Sequence, residues 1–166
     1  MELVLPSEKF KQSFDSYINE LGDEERYPFT LDLDMSDFKA YLSKLGDFSL
    51  GKNLPAGSVT NTTFWLIDNG EVLGVTNIRH YLNEQIRCCG GHIGLGIRPK
   101  ARGKGIGSLL MKLSIDKLAT LGVTDVHIHC YQSNTSSAHI IKANGGVLNS
   151  EINMGEQIVQ RYIVKI

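Results

Sequence analysis

Between Gly94 and Leu121 an extended run passes, through a loop with glycines at 103, 105 and 107, into the most strongly helical stretch of the chain. Ile106, Leu109, Leu110 and Leu113 form one stripe, Met111, Ile115 and Leu118 widen it, and Gly122 ends it. Apolar residues over so much of the circumference predict a helix over 104–121 that is packed inside a domain. The rest of the chain must therefore supply elements that cover it on several sides. The 166 residues, 42% hydrophobic and 21% charged, are enough for one such domain with its own core, spanning 1–166.

The flanking pattern says what those elements are. Leu3 to Leu5 reads as a short strand closed by Pro6. Phe10, Phe14, Tyr17, Ile18 and Leu21 recur at helical spacing, with Ser7 as N-cap and Gly22 as the stop. A second helix is expected from about Asp34, with Phe38, Tyr41, Leu42 and Leu45 on one face before Gly46. Residues 62–67 and 72–78 read as strands joined by Asn69-Gly70, because both positions of a tight hairpin turn require positive φ. A further extended run is expected over 88–97, ending at Pro99. After the long helix come a strand at 123–129, a short helix at 136–143 stopped by Asn144-Gly145-Gly146, and a closing hairpin from 147–152 and 158–166. The order αα, βββ, αβαββ predicts a mixed α/β (α+β) domain with a mostly antiparallel sheet and at least one parallel crossover.

Charge and cysteine usage narrow the function classes. The net charge is −1, which does not suggest a nucleic-acid partner. No stretch approaches the ~20 apolar residues of a membrane span. Met1 to Pro6 has no basic segment or long apolar run, so no signal peptide is expected. Cys88, Cys89 and Cys130 are odd in number and two are adjacent, which predicts free thiols and a reducing, cytoplasmic setting. The charges are segregated. Asp15, Glu20, Asp23, Glu24, Glu25, Asp32, Asp34 and Asp37 meet one base, Arg26, whereas Arg87, Arg98, Lys100, Arg102, Lys104 and Lys112 meet no acid. Solvated faces explain the first run; the second coincides with the glycine cluster and points to an anion site.

The segment Gly94-Leu95-Gly96-Ile97-Arg98-Pro99-Lys100-Ala101-Arg102-Gly103-Lys104-Gly105-Ile106-Gly107-Ser108 has the chemistry for one. The first N–H groups of a helix lack intrahelical partners, and its dipole places positive charge there. Glycines let a phosphate approach that backbone. A Walker A loop is excluded, since Arg98 stands where its first glycine belongs and Gly105 follows Lys104. A dinucleotide fingerprint fails too, because Ser108 replaces its last glycine. The pattern satisfied is [RQ]-x-x-G-x-[GA], by Arg102, Gly105 and Gly107.

Here the sequence resembles the GNAT superfamily of acetyl-CoA-dependent N-acetyltransferases. Strand, Pro99, the loop, long helix, strand, then Asn134-x-x-Ser137 opening a helix that ends in Asn144-Gly145-Gly146 look like that family's two core motifs in order. Phe64-Trp65, Asn77-Ile78-Arg79-His80 and Gly90-Gly91-His92-Ile93-Gly94 look like a bacterial branch of predicted acetyltransferases. The resemblance covers most of the chain from about residue 60 and, more loosely, the helices before it. It implies two central parallel strands that splay apart, flanked by helices.

It also implies site residues. Leu95 and Ile97 would bind the pantetheine arm through main-chain atoms, as an added strand does. Arg102, Gly103, Lys104, Gly105, Ile106, Gly107 and Ser108 would hold the pyrophosphate, mostly by N–H groups. Asn134 would lie near the cofactor arm, with a helix N-cap as its alternative. The family's tyrosine, seven residues after that asparagine and placed to protonate the departing thiolate, is Ile141 here. Tyr131 and His139 are the substitute acids, and a thiolate of pKa about 8.5 can also leave unaided. An alkylamine of pKa about 10.4 is almost wholly protonated at pH 7, so a base would help. His92 and His80 are the candidates, each also readable as a structural histidine, with Glu84 shortly after and Asn83 to orient substrate or to form a turn.

The resemblance implies direct transfer in a ternary complex, with the three cysteines as the competing nucleophiles. His127-x-His129-Cys130 offers three zinc-ligand types together, but no further ligand has the spacing of a closed site, so no metal is expected. A non-catalytic acyl-CoA-binding or regulatory module on the same fold is the alternative function. The acidic segment before residue 40 would draw a cationic amine or basic peptide; polyamines, aminoglycosides, amino acids and protein N-termini all stay open. Many relatives dimerise, which makes a homodimer an expectation without an assigned interface.

Overall fold

A computed structural model describes residues 1–166. Two antiparallel sheets lie side by side. The first has the order β1-β2-β3-β4, from β1 (Glu2–Val4), β2 (Asn61–Asp68), β3 (Glu71–Arg79) and β4 (Ile93–Ile97). The second has the order β5-β7-β6, from β5 (Asp125–Tyr131), β6 (Val147–Asn153) and β7 (Ile158–Lys165). Helices α1 (Lys11–Leu21) and α2 (Phe38–Ser49) cover one face of the first sheet. Phe14 stacks on Trp65 there, centroids 4.5 Å apart, and both side chains are fully buried. Helix α4 (Ile106–Thr120) covers the opposite face and packs on α5 (Thr135–Ala143). Thr76 Oγ1 and Ser114 Oγ, 2.9 Å apart in that interface, satisfy each other.

The Asn69-Gly70 hairpin is present, with φ of 47° and 80°. Other boundaries moved, each for a local reason. Ser7 makes no side-chain cap; residues 8–10 form a 3₁₀ turn and α1 starts at Lys11. Asp37, not Asp34, caps α2, accepting from the Ala40 N–H at 3.0 Å, while Asp34 accepts from Ser36. Helix α2 runs on through Gly46 because Phe48, in its last turn, is buried in the core. That burial outweighs the ~1 kcal/mol a mid-helix glycine costs. The run 88–97 is not all extended. Asn83 caps a short helix, α3 (Glu84–Cys88), accepting from Ile86 N–H at 2.8 Å, and Gly90 and Gly91 turn the chain before β4. Helix α4 begins at Ile106 rather than at 104, since Gly103 and Gly105 sit at φ 73° and 77°. The strand expected at 123–129 lies at 125–131, which makes Tyr131 its last residue.

No ladder joins β4 to β5. Before β4 begins, at the Gly90-Gly91 turn, an isolated antiparallel bridge pairs Gly91 with Ile128, beside a hydrogen bond from His92 N–H to the His127 carbonyl (2.7 Å). Tyr27 reaches the far ends of both strands. Its carbonyl lies against Gly96 and its hydroxyl interacts with that of Tyr131. Past that turn, both strands lead from a closed junction at 92 and 127 to the Tyr27 loop at 96 and 131, with no ladder between them.

Candidate active site in the gap between two strands

Hydrogen-bond phase shows what lines this gap. The Arg79 N–H donates to the His92 carbonyl (2.8 Å) and Arg98 N–H to the Leu73 carbonyl (2.9 Å). With Asn77 opposite Gly94 and Val75 opposite Gly96, the even residues of β4 bond to β3. The polar groups of Ile93, Leu95 and Ile97 therefore face the gap. On β5, the bonds Ile166 N–H to Thr124 and Gln132 N–H to Ile158 turn the backbones of His127, His129 and Tyr131 toward the same gap. Leu95 thus offers both its N–H and its carbonyl. At Ile97 the carbonyl already accepts from Arg102 Nε (3.0 Å), which leaves its N–H.

At the open end, the N–H groups of the six residues Gly103 to Ser108 find no acceptor in the protein. Nothing lies within 4 Å of where a side chain on Gly103 or Gly105 would begin. This concave row of free donors at the N-terminus of a 15-residue helix fits a pyrophosphate. The open edge of β4 next to it fits an amide-bearing arm. Gly107 serves another purpose: a Cβ there would meet Ile140 Cδ1 at 2.7 Å, so the glycine lets α5 close on α4. Asn144, which the sequence reading used only as a helix stop, secures that contact by donating to Ser108 Oγ at 3.1 Å and the Ile140 carbonyl at 2.9 Å.

The basic side chains of the loop are mostly spoken for. Arg98 is 3% exposed and donates to Glu20 at 2.7 Å. Arg102 forks onto the Glu24 carboxylate at 3.1 and 2.7 Å, and its N–H donates to Pro99. Lys100 pairs with Glu71. Lys104 alone of the four has no acid, and it donates to the Lys100 carbonyl. The acidic and basic segments thus neutralise each other in part. The free donor row starts at Gly103, one residue after the motif's arginine.

The catalytic candidates do not converge on one atom. Tyr131 is exposed at the open end, beside Tyr27, whose hydroxyl donates to Glu25 at 2.8 Å. Burial, then the Glu25 carboxylate, holds the Tyr27 phenol above its ordinary pKa. His92 stands at the closed end, 5% exposed, its Nδ1 accepting from His127 N–H at 2.9 Å. Burial, and then repulsion from His127, Arg87 and Arg79, lowers its pKa to about 4. His80 lies past the end of β3 with Nε2 2.8 Å from Thr62 Oγ1, and burial lowers its pKa as well. Asn134 caps α5, its Oδ1 accepting from Ser137 N–H at 3.0 Å, which leaves its Nδ2 free. Ile141 is 1% exposed in the core and cannot face a ligand. Asn83 caps α3 and donates to the Gly57 carbonyl; Glu84 and His139 are exposed. His127, His129 and Cys130 form no group of three metal-binding side chains. Sequence reasoning missed the Tyr27–Pro28 loop that crosses β4. Its signal was the small residues Gly94 and Gly96, which leave room for Pro28 and the Tyr27 carbonyl.

The family model for the GNAT acetyltransferase family matches residues 18–145. This chain belongs to that family. Its members are acetyl-CoA-dependent N-acetyltransferases, and the free donors at 103–108 and the open edge of β4 suit that acyl donor. No curated protein matches the sequence. Among solved structures, the GNAT chain resembles the ribosomal L7/L12 alpha-N-protein acetyltransferase RimL in complex with coenzyme A (TM-score 0.73, 14% identity, 99% of this chain and 93% of that one). It also resembles a spermidine N-acetyltransferase SpeG mutant from Vibrio cholerae (0.67, 18%, 99% and 95%). A third is yncA, a putative acetyltransferase from Salmonella typhimurium with acetyl-CoA (0.65, 13%, 99% and 92%). At such identities the likeness is one of fold. No helix of the GNAT chain is long and apolar enough to cross a membrane.

Proposed function

We propose that the whole chain, 1–166, works as one domain that transfers the acetyl group of acetyl-CoA directly to an amine within a ternary complex. Acetyl-CoA supplies the acetyl thioester. The row of acceptor-free amides at 103–108 carries the reading, as the place for the pyrophosphate. Leu95, with the Ile97 N–H, would bind the arm from the open edge of β4, and Asn134 would contribute its free Nδ2. With α4 and α5 over one face, the amine enters from the other, past Tyr27, His92 and His129. Attack forms the C–N bond and breaks C–S. The ammonium first loses a proton to water; Tyr131, exposed at the open end, gives its proton to the thiolate sulfur and regains one, through water, from the proton that the new amide nitrogen releases.

His80, bonded to Thr62 beyond the closed end, has no part in the chemistry under this reading. His92 takes the role of a clamp across the junction, its Nδ1 already bonded and its ring too weakly basic to deprotonate an ammonium. Cys130 supports direct transfer, because burial raises its thiol pKa; Cys88 and Cys89 sit on and beside α3. The free cysteines favour a reducing cytoplasm. A homodimer would form through β6, an edge strand that exposes Val147 and Leu148, and sedimentation across a concentration series tests it. The non-catalytic module remains the second reading because core-buried Ile141 removes the family's acid. Thiol release over an amine panel decides between them: acetyl-CoA binding without transfer to any amine selects the module.

A further inference from the structure

The acceptor side of the closed end is made of donors. Arg79 on β3, His92 before β4, His127 and His129 on β5 and Arg161 on β7 share the sheet face opposite α4, Arg161 being the direct cross-strand partner of His129. Arg87 of α3 closes the edge, its Nη1 3.4 Å from His127 Nε2. The rings of His92 and His127 are 5.8 Å apart, those of His127 and His129 6.4 Å. None of these three arginines has a carboxylate partner, unlike Arg98 and Arg102. Arg79 donates only to the Gly90 and Gly91 carbonyls, and Arg161 to the Cys88 carbonyl and Ser150 Oγ.

The histidines add donors as well. His129 Nδ1 accepts from Gly90 N–H at 3.0 Å, so a neutral ring carries its proton on Nε2, and that atom is buried with no partner. His92, accepting through Nδ1 in the same way, also presents an Nε2–H. Asp125 acts on His127, and no carboxylate pairs with any of the three arginines. These guanidinium and imidazole donors, bonded only to carbonyls, a hydroxyl and an imidazole and to no carboxylate, lack a counter-ion.

We propose that the amine acceptor carries a carboxylate or phosphate, which Arg79, Arg161 and Arg87 with the His129 and His92 Nε2–H groups bind at the closed end while its amino group points up the gap. This rests on the transfer reading and replaces the cationic acceptor expected from the acidic segment, since Glu20 and Glu24 are held by Arg98 and Arg102.

The test is thiol release with matched amines: an α-amino acid against its amide, phosphoethanolamine against ethanolamine, and spermidine. The anionic member of a pair should have a kcat/KM roughly 10–100-fold higher, the yield of one or two charge-assisted hydrogen bonds. Which pair shows it distinguishes carboxylate from phosphate. Arg161→Gln and the exposed Arg87→Gln should erase that preference through KM with acetyl-CoA affinity unchanged by calorimetry. Arg87→Glu should shift preference toward the neutral or cationic amine, which loss of structure alone does not produce. Preference for spermidine or the neutral amines, or a preference for anions that survives these variants, overturns the proposal alone. Acetyl-CoA binding with no transfer to any amine overturns the transfer reading, and this one with it.

Discussion

The two ends of the gap between β4 and β5 are built from different materials. The open end binds chiefly through backbone: free amides from Gly103 to Ser108 and the exposed edge of β4, with the loop's arginines and lysines bonded elsewhere. The closed end is side chain: three arginines and three histidines around one bridge. Backbone donors need only glycines and a helix start, so they recognise a part of the substrate common to a whole family. Side chains can be exchanged one at a time, so they suit the part that differs between members. Under the proposed reading, the open end recognises the donor and the closed end selects the acceptor.

The strongest test breaks the open end alone. Gly105 sits at φ 77° with clear space before it. Valine there puts a β-branched residue in a left-handed conformation, costing about 1–3 kcal/mol, and fills the phosphate cradle. Acetyl-CoA affinity by calorimetry should fall at least ~100-fold, the loss of two or more charge-assisted bonds. Unchanged affinity with Gly105→Val would remove the donor site from this loop.

A second test acts on the roof between the ends. Gly96 lies directly under the Tyr27 carbonyl, with the Tyr17 hydroxyl 3.1 Å from where a Cβ would stand. Gly96→Val must push the Tyr27 loop off β4, at a cost of about 1–3 kcal/mol for an overpacked contact. The melting temperature should drop, and kcat should fall with the displacement of Tyr27 from Tyr131. A fully stable, fully active variant would show that the loop is not part of the site.

How much of this was legible beforehand follows the same division. The cradle could be read because its cause is local: glycine spacing and a helix start lie within one short segment. The closed end could not. Arg79, Arg87, Arg161, His92, His127 and His129 come from five separate segments, and only the strand register brings Arg161 opposite His129. The same holds for the ion pairs: Glu20 and Glu24 looked like a free acidic face because Arg98 and Arg102 are 78 residues away in sequence. The β4 boundary was misplaced because Asn83, expected to orient substrate or form a turn, instead caps α3 by accepting from Ile86 N–H, so that Cys88 ends a helix.

A third test uses pH. Burial, then the neighbouring charges, lowers the pKa values of His92 and His129 to about 4 from an ordinary 6.5. The unfolded chain therefore binds more protons between those values, and stability falls as pH drops from about 6.5 toward 4. His92→Asn should flatten the acid limb of a melting-temperature profile. Catalysis should show the complement. With His92 already neutral, log kcat/KM should climb with amine deprotonation from pH 6 to 9, without a break between 6 and 7.5. A break there that disappears in His92→Asn would reinstate His92 as the base.

The smallest expected effect is at Arg102, where the two ends of the comparison are easiest to confuse. Its guanidinium is bonded to Glu24 and Ile97 rather than turned into the cradle. Both partners are about half exposed, so the pair is worth at most ~1 kcal/mol. If Arg102 acts by tying the α1–α2 loop to the end of β4, Arg102→Gln and Glu24→Gln should weaken acetyl-CoA binding equally and mildly, and the double variant should add nothing. If its charge instead reaches the phosphates, Glu24→Gln would free that charge and tighten binding while Arg102→Gln weakened it. Opposite signs in the two single variants would return the arginine to the donor site and leave the cradle more than backbone; equal signs keep the open end as amides alone.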